Sequence, residues 1–267
     1  MKRMVHLWVG LVAVGIALAA SLAGQSGAAV THPDLTGLWD GAPGGPAPTS
    51  GSESAARLAS GQPAQTAGPA STRDLVDYMK SQGLTIPFTP FGAERYKNAD
   101  MSKNPNGFCL PPGPSRALTG PSPFVIVQHE DVISFNFEDH GVYRVIYLDG
   151  RKHPADIDDY PQFMGHSIGK WEGDTLVVDT VGINDRTWLD SYGLEHSSKL
   201  QLTERFQKSG PDVIRYTVTY TDPVFFTKPW SASLSFERQG KDDRLMEYVC
   251  TDNEKDRVNL VPTLRGE

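Results

Sequence analysis

The strongest constraint on the fold is a run of short apolar segments, separated by turn residues, that begins after Pro123. They predict strands at 124–129, 132–138, 142–149, 166–172, 175–183, 199–207, 213–221, 230–237 and 244–250. Parallel neighbours need long crossovers, and no convincing helix separates these segments. We therefore expect an all-β fold, an antiparallel meander closed into a barrel of about eight or nine strands. A β-sandwich is the alternative.

The composition of the chain before Pro123 changes from segment to segment. Lys2 and Arg3 precede an apolar stretch and small residues around Ala23, which is the pattern of a secretory signal peptide. A retained membrane anchor is the alternative interpretation. We predict a signal peptide at 1–23, a short N-terminal strand segment at 24–40, a flexible low-complexity segment at 41–72, an arm with one or two short helices at 73–122, and the barrel at 123–267.

The two cysteines, Cys109 and Cys250, agree with an exported protein, in which two thiols most simply form one disulfide. Two free thiols or a metal site are the alternatives, but no paired Cys and His spacing supports a metal. We expect a periplasmic or extracellular location and no stable membrane span once the signal peptide is removed. The sequence assigns no metal or cofactor.

The net charge of −7 argues against a nucleic-acid partner, which would need clustered Lys and Arg. It also argues against attachment to an anionic membrane surface. The expected partner is instead a small-molecule ligand or substrate.

Counting through the tight hairpins predicts which side chains face inward. A turn at Glu130 and Asp131 pairs Phe124 with Phe137 and puts Gln128 on the same face. A turn at Asp139 and His140 adds Arg144 to that face.

A buried Arg144 needs a carboxylate partner or an anionic ligand group, because an unpaired buried cation is costly. Glu204 alternates with Leu202 and Phe206 and is a candidate for that partner. It could equally be a general acid with a raised pKa.

The hairpin that turns at Gly173 and Asp174 brings together a second polar pair. Ile168 faces Asp179, so His166 and Asp179 become diagonal neighbours on one face. An Asp beside a His fixes its tautomer and raises its basicity, as a general base requires. A structural hydrogen bond is the alternative. The opposite face also carries apolar residues, so the sequence leaves open whether the pair points inward.

Two further features are candidate sites. The polar connection from Asn184 to Ser198 is expected at the barrel mouth, where long loops often bind ligands. Its candidate binding residues are Asp185, Arg186, Trp188, Asp190 and His196.

The other feature is the pentapeptide from Gly165 to Gly169, which matches the G-x-S-x-G nucleophile elbow of serine hydrolases. An elbow needs a strand before the serine and a helix after it. The residues after Ser167 have a hairpin pattern instead, so we do not expect a serine nucleophile.

A long motif carries a family resemblance. The stretches MGHSIGKWEGDTLVVDTVG at 164–182 and NDRTWLD at 184–190 are similar to a broad set of exported bacterial proteins with no established activity. This similarity covers most of residues 108–256 and implies export, but no reaction, cofactor or catalytic residue. The tripeptide Gly37-Leu38-Trp39 resembles the Gly-x-Trp of lipocalin-type barrels and implies a lipocalin-like or calycin-like fold.

These observations favour an exported barrel that binds a small, partly apolar molecule with a polar or anionic end. Arg144 and Gln128 would hold that end, and Trp188 would cover the mouth. The alternative is a hydrolase, lyase or isomerase that uses the pair of His166 and Asp179 with Glu204. A structural or interaction protein of the cell envelope is the third possibility.

Overall fold

The computed structural model describes residues 32–40, 74–120 and 122–251. The predicted signal peptide at 1–23 and the predicted flexible segment at 41–72 therefore lie outside the described residues. The described residues form a β-barrel and several short helices.

Nine strands form a closed barrel in which each strand pairs with the next along the chain and the last pairs with the first. The strands are β1 (Gly37–Asp40), β2 (Phe124–Gln128), β3 (Val132–Phe137), β4 (Tyr143–Tyr147), β5 (His166–Glu172), β6 (Thr175–Val181), β7 (Gln201–Gly210), β8 (Val213–Thr221) and β9 (Trp230–Arg238). The prediction of an all-β barrel is confirmed.

The strand that closes the barrel is not the predicted one. The prediction of a strand at 244–250 is wrong, since these residues form no strand and are mostly exposed. The segment before the low-complexity region closes the barrel instead, with Leu38 opposite Val125 and Trp39 opposite Arg238. The Trp39 side chain is fully buried there. Its burial stabilises this closure, and the charged 241–247 region offers no equivalent side chain.

The second difference is one parallel pair. β4 and β5 run in the same direction, with Ile146 opposite Ser167, whereas every other neighbouring pair is antiparallel. The expectation of a purely antiparallel meander is therefore corrected. A parallel pair requires a crossover connection, and residues 148–165 provide it.

Within the residues that the structure describes, three α-helices and three short 3₁₀ segments accompany the barrel. The arm at 73–122, for which one or two short helices were predicted, contains α1 (Leu75–Ser81), capped by Asp74, and α2 (Pro90–Lys97), capped by Thr89. A third helix, α3 (Gly113–Thr119), was not predicted, and all of its residues are buried. The 3₁₀ segments are Met101–Lys103, Pro105–Phe108 and Asp139–Gly141.

The predicted hairpin registers are also confirmed. Phe124 lies opposite Phe137, Phe135 opposite Arg144, and Ile168 opposite Asp179. The residues that alternate inward fill the barrel with aromatic rings. The ring centroids of Phe124 and Phe236 are 5.0 Å apart, and those of Phe206 and Tyr216 are 4.8 Å apart.

A disulfide joins Cys109 to Cys250, as predicted, with a Cα–Cα distance of 5.7 Å. It fixes the arm between β1 and β2 to the segment that follows β9. None of the helices in the described residues combines the length and the apolar character needed to cross a bilayer.

Candidate functional site

An inner polar cluster lies inside the barrel and consists of Arg144, Ser167, Thr180, Glu204 and Tyr216. Arg144 is 2% exposed and Glu204 is 0% exposed. The guanidinium donates through Nη1 to Glu204 Oε1 at 2.9 Å and through Nη2 to Glu204 Oε2. It also donates through Nε to Ser167 at 2.9 Å and through Nη2 to Thr180 at 2.6 Å. Of the two roles considered for Glu204, the structure shows it as the partner of Arg144.

The charges of this cluster compensate each other. Burial opposes the charged form of Arg144, but Glu204 outweighs it and holds the pKa of Arg144 above its ordinary value. Burial also raises the pKa of Tyr216, whose hydroxyl donates to Glu204 Oε1 at 2.8 Å. Four of the five N–H groups of Arg144 are therefore used within the protein.

Ser167, the serine of the G-x-S-x-G match, belongs to this inner cluster. Its side chain is 1% exposed and lies 3.0 Å from Thr180 Oγ1. It sits within a strand that leads into a hairpin, as the sequence pattern indicated. A serine nucleophile in this position could not meet a substrate from solvent.

A second cluster, the outer-wall cluster, lies on the opposite face of the same strands and consists of His153, His166, Asp179 and Gln201. His166 directly precedes Ser167, and Asp179 directly precedes Thr180. Because successive side chains of a strand alternate between faces, His166 and Asp179 point outward. Gln201 Nε2 donates to Asp179 Oδ1 at 2.8 Å. The predicted pair is thus placed outside the barrel, away from Glu204.

His153 connects His166 to Asp179. Its Nδ1 lies 2.8 Å from Nδ1 of His166, and its Nε2 lies 3.3 Å from Asp179 Oδ2. His153 belongs to the crossover between β4 and β5, which passes over this wall because those strands are parallel. The fold therefore inserts a residue between two side chains that the hairpin register alone would make direct neighbours.

The hydrogen bonds restrict where the protons can be. A carboxylate only accepts, so Nε2 of His153 carries a proton and donates to Asp179. When His153 is neutral, its Nδ1 carries a lone pair that accepts from Nδ1–H of His166, and Nε2 of His166 then also carries a lone pair. This Nε2 has no partner among the described side chains. This arrangement leaves a basic nitrogen unoccupied on the outer wall.

The surroundings keep His166 neutral. Burial lowers the pKa of His166 below 6.5, and the charge of Arg151, with any positive charge on His153, lowers it further. The Tyr147 ring stacks against the His166 ring, with centroids 5.4 Å apart, and the Arg151 guanidinium lies over the same tyrosine ring at 3.8 Å. The imidazole is therefore held in place and unprotonated at neutral pH, as a general base requires.

The other predicted binding residues lie elsewhere. Gln128 accepts a hydrogen bond from Leu35 N at 3.0 Å and donates to Pro33 O at 3.3 Å, so it fixes the segment that enters β1. The structure does not bring it together with Arg144.

The 184–198 connection covers the barrel mouth together with α3, where Ser115 Oγ donates to Leu189 O at 2.9 Å and lies 2.9 Å from the Tyr220 hydroxyl. Trp188 is buried in this connection and presents no open stacking surface. Asp185 and Arg186 are exposed. Arg186 lies 5.3 Å from the centre of the Phe163 ring.

Asp190 and His196 brace the same connection from inside. Asp190 accepts backbone hydrogen bonds from Leu75, Tyr192 and Leu194, and burial raises its pKa to about 6. Burial lowers the pKa of His196, whose Nε2 lies 2.7 Å from Thr187 Oγ1. Asp190 and His196 therefore form hydrogen bonds within the 184–198 connection and to Leu75, and both side chains are buried.

The sequence prediction missed His153. The signal that could have found it is the length of the 148–165 connection, which is sufficient for a crossover and made a parallel β4–β5 pair possible. Its position over His166 depends on three-dimensional packing and has no local sequence signature.

Comparison with known proteins adds no assignment. No protein-family model, no curated protein and no solved structure matches the chain. Within residues 32–40, 74–120 and 122–251, no group of three His, Cys, Asp or Glu side chains is arranged to hold a metal ion.

Proposed function

We propose that the protein is an exported β-barrel enzyme, a hydrolase, lyase or isomerase, that uses His166 as its general base. The observation that carries this proposal is the chain of hydrogen bonds from Asp179 through His153 to His166, which ends in an unoccupied nitrogen. The disulfide supports export, since such bonds persist in oxidising compartments.

The proton transfer can be written atom by atom. Nε2 of His166 takes a proton from the substrate or from a water molecule that attacks it. The proton on Nδ1 of His166 passes to Nδ1 of His153. The positive charge then resides on His153, whose Nε2–H faces the Asp179 carboxylate at 3.3 Å. Asp179 stabilises this cation without itself taking the proton, and the reverse transfer resets the site.

The proposal moves the substrate from the barrel interior to the outer wall. An interior ligand was expected to use Arg144, but that guanidinium is neutralised by Glu204 and surrounded by buried aromatic rings. His166 is instead half-buried on the wall and reachable from solvent. Small-molecule binding remains part of the proposal, at this second location.

The first test measures the reactivity of His166 without a known substrate. Diethyl pyrocarbonate modifies neutral imidazoles, and peptide mass spectrometry gives the modification rate of each histidine between pH 5 and pH 8. We expect the His166 rate to fall off at a pH below 6.5 in the wild type. Arg151→Gln should move this point upward, because the positive charge of Arg151 contributes to lowering the pKa of His166. An unmodified His166 in the folded protein would contradict the proposal.

The second test measures turnover. Mature wild-type protein is assayed for hydrolysis of p-nitrophenyl esters and for deuterium exchange at carbons next to a carbonyl group. His166→Gln should lower any activity found by about a hundredfold or more. His129→Gln, which changes an exposed histidine on another hairpin, is the matched control and should leave it unchanged. Equal effects of the two substitutions would contradict the role of His166.

A further inference from the structure

A cleft of about 310 Å³ lies beside α2 and shares no residue with the outer-wall cluster. It is lined by Phe91, Glu94, Arg95, Asn98, Asp100, Lys103 and Glu195. Its volume is at the lower end of the range for small-molecule sites. We propose that this cleft binds a small organic cation with a flat apolar body, such as an aryl ammonium compound.

The helix supplies one continuous face of the cleft. Phe91, Glu94, Arg95 and Asn98 have the spacing that places residues on one side of a helix. The helix packs closely on the connection between β8 and β9, because a Cβ atom at Gly92 would lie 2.4 Å from Phe225 O. Thr89 also donates to Val224 O at 2.7 Å, just before the helix begins. The face is therefore a fixed surface.

Phe91 provides the apolar part of the site. Its side chain is about half-exposed, although it is a large aromatic residue. The Phe225 ring packs edge to face with it, with centroids 5.3 Å apart at 76°. This contact fixes the Phe91 ring and leaves part of it open to the cleft, where a cation can lie over the ring.

The charges of the cleft favour a cation over an anion. Arg95 donates through Nε and Nη2 to Glu195, at 2.7 and 2.8 Å, so its charge is compensated. Lys103 lies 3.6 Å from Asp100. Glu94 forms no ion pair among the residues that the structure describes, so its carboxylate remains uncompensated. The carbonyl end of α2 at Asn98 adds negative potential.

The experiment titrates the mature protein with phenyltrimethylammonium and follows backbone amide shifts by NMR. We expect saturable shifts at Glu94 and Asn98. Phe91→Ala and Glu94→Gln should each weaken binding by about two- to fivefold. Phe108→Ala and Glu130→Gln, which change an exposed phenylalanine and an exposed glutamate elsewhere, are the matched controls and should bind as the wild type does.

Two companion probes separate charge from apolar contact. Benzoate has a similar ring and the opposite charge, and benzyl alcohol is neutral. Weaker binding of both probes would support the proposal, whereas equal binding of either would overturn it. Absence of saturable shifts, or unchanged affinity in both Phe91→Ala and Glu94→Gln, would also overturn it. Neither result bears on His166, which lies outside the cleft.

Discussion

The inner polar cluster and the outer-wall cluster are built from adjacent residues of the same two strands. Ser167 and Thr180 point into the barrel, whereas His166 and Asp179, one position earlier, point out of it. Both clusters contain an acid and a basic side chain linked by hydrogen bonds. They differ in how many of their hydrogen-bonding groups have a partner. Inside the barrel, four of the five N–H groups of Arg144 donate to other side chains. On the outer wall, Nε2 of His166 has no partner among the described side chains.

This difference shows how burial divides polar residues between stability and chemistry. A buried charge must be compensated completely, because an unpaired one carries a large desolvation cost. Arg144 and Glu204 therefore bind each other and leave nothing for a ligand. At the half-exposed wall, water can satisfy the last nitrogen of His166 at little cost, so the site keeps a group that can react.

The largest expected effect breaks the inner cluster. Glu204→Gln leaves the buried Arg144 without its counter-charge and should lower the free energy of unfolding by about 3–5 kcal/mol. Urea unfolding at pH 7.5 gives this value. Glu172→Gln, which changes an exposed glutamate that pairs with Lys170 and Arg205, should lower the free energy of unfolding far less, because water screens these ion pairs. A similar loss in both variants would show that the inner pair has no special role.

The next prediction removes both charges at once. The double variant Arg144→Met and Glu204→Leu should lose less than about 2 kcal/mol, because no unpaired charge remains in the barrel. The same urea titration compares it with Glu204→Gln. A double variant less stable than Glu204→Gln would mean that the ion pair itself, and not the avoidance of an unpaired charge, stabilises the barrel.

A smaller effect is expected for the serine of the G-x-S-x-G match. Ser167→Ala removes the acceptor of the Arg144 Nε–H and should lower the free energy of unfolding by about 1–2 kcal/mol. The rate of carbethoxylation of His166 should not change, because the two side chains lie on opposite faces. Loss of catalytic turnover with retained stability would instead identify Ser167 as a nucleophile.

The smallest effect on stability is expected at the outer wall. His166→Gln should change the free energy of unfolding at pH 7.5 by less than about 0.5 kcal/mol, because His166 is neutral and partly solvated. The pH dependence of the free energy of unfolding should differ more between the wild type and His166→Gln. Its pKa is lowered in the folded state, so below pH 6.5 the unfolded chain binds a proton that the folded chain resists.

Wild-type stability therefore decreases as the pH falls from 6.5 toward the lowered pKa of His166, and His166→Gln removes this part of the decrease. Urea titrations at several pH values between 5 and 7.5 measure the difference between the two proteins. The buried His196 contributes equally to both, so it cancels in the comparison. Identical pH dependence would place the pKa of His166 at its ordinary value.

Local pattern was enough to predict the parts that depend on neighbouring residues. The turns at Glu130 and Asp139 fix the registers that place Arg144 on the inner face, and alternation with Leu202 and Phe206 places Glu204 there. The start of α2 is also set locally, since Thr89 caps the helix and Pro90 occupies its first position. Each of these is a contact between residues close in sequence, where turn chemistry and alternation are sufficient.

Contacts between distant segments were not predictable in the same way. Residues 244–250 and 35–40 both have strand-like patterns, and only the pairing of β1 with β2 and β9 distinguishes them. α3 is only seven residues long, and its burial at the barrel mouth supplies the stabilisation that so short a helix lacks by itself.

The sequence by itself determined eight of the nine strands predicted after Pro123, the hairpin registers and the cysteine pair, because alternation and turns act over a few residues. Only the tertiary structure decided which strand closes the barrel, that β4 and β5 run parallel, and that His153 lies between His166 and Asp179. The physical reason is that these depend on burial and crossover geometry summed over segments far apart in the chain. The proposed chemistry of the outer wall depends on one of these tertiary features, the position of His153 between His166 and Asp179.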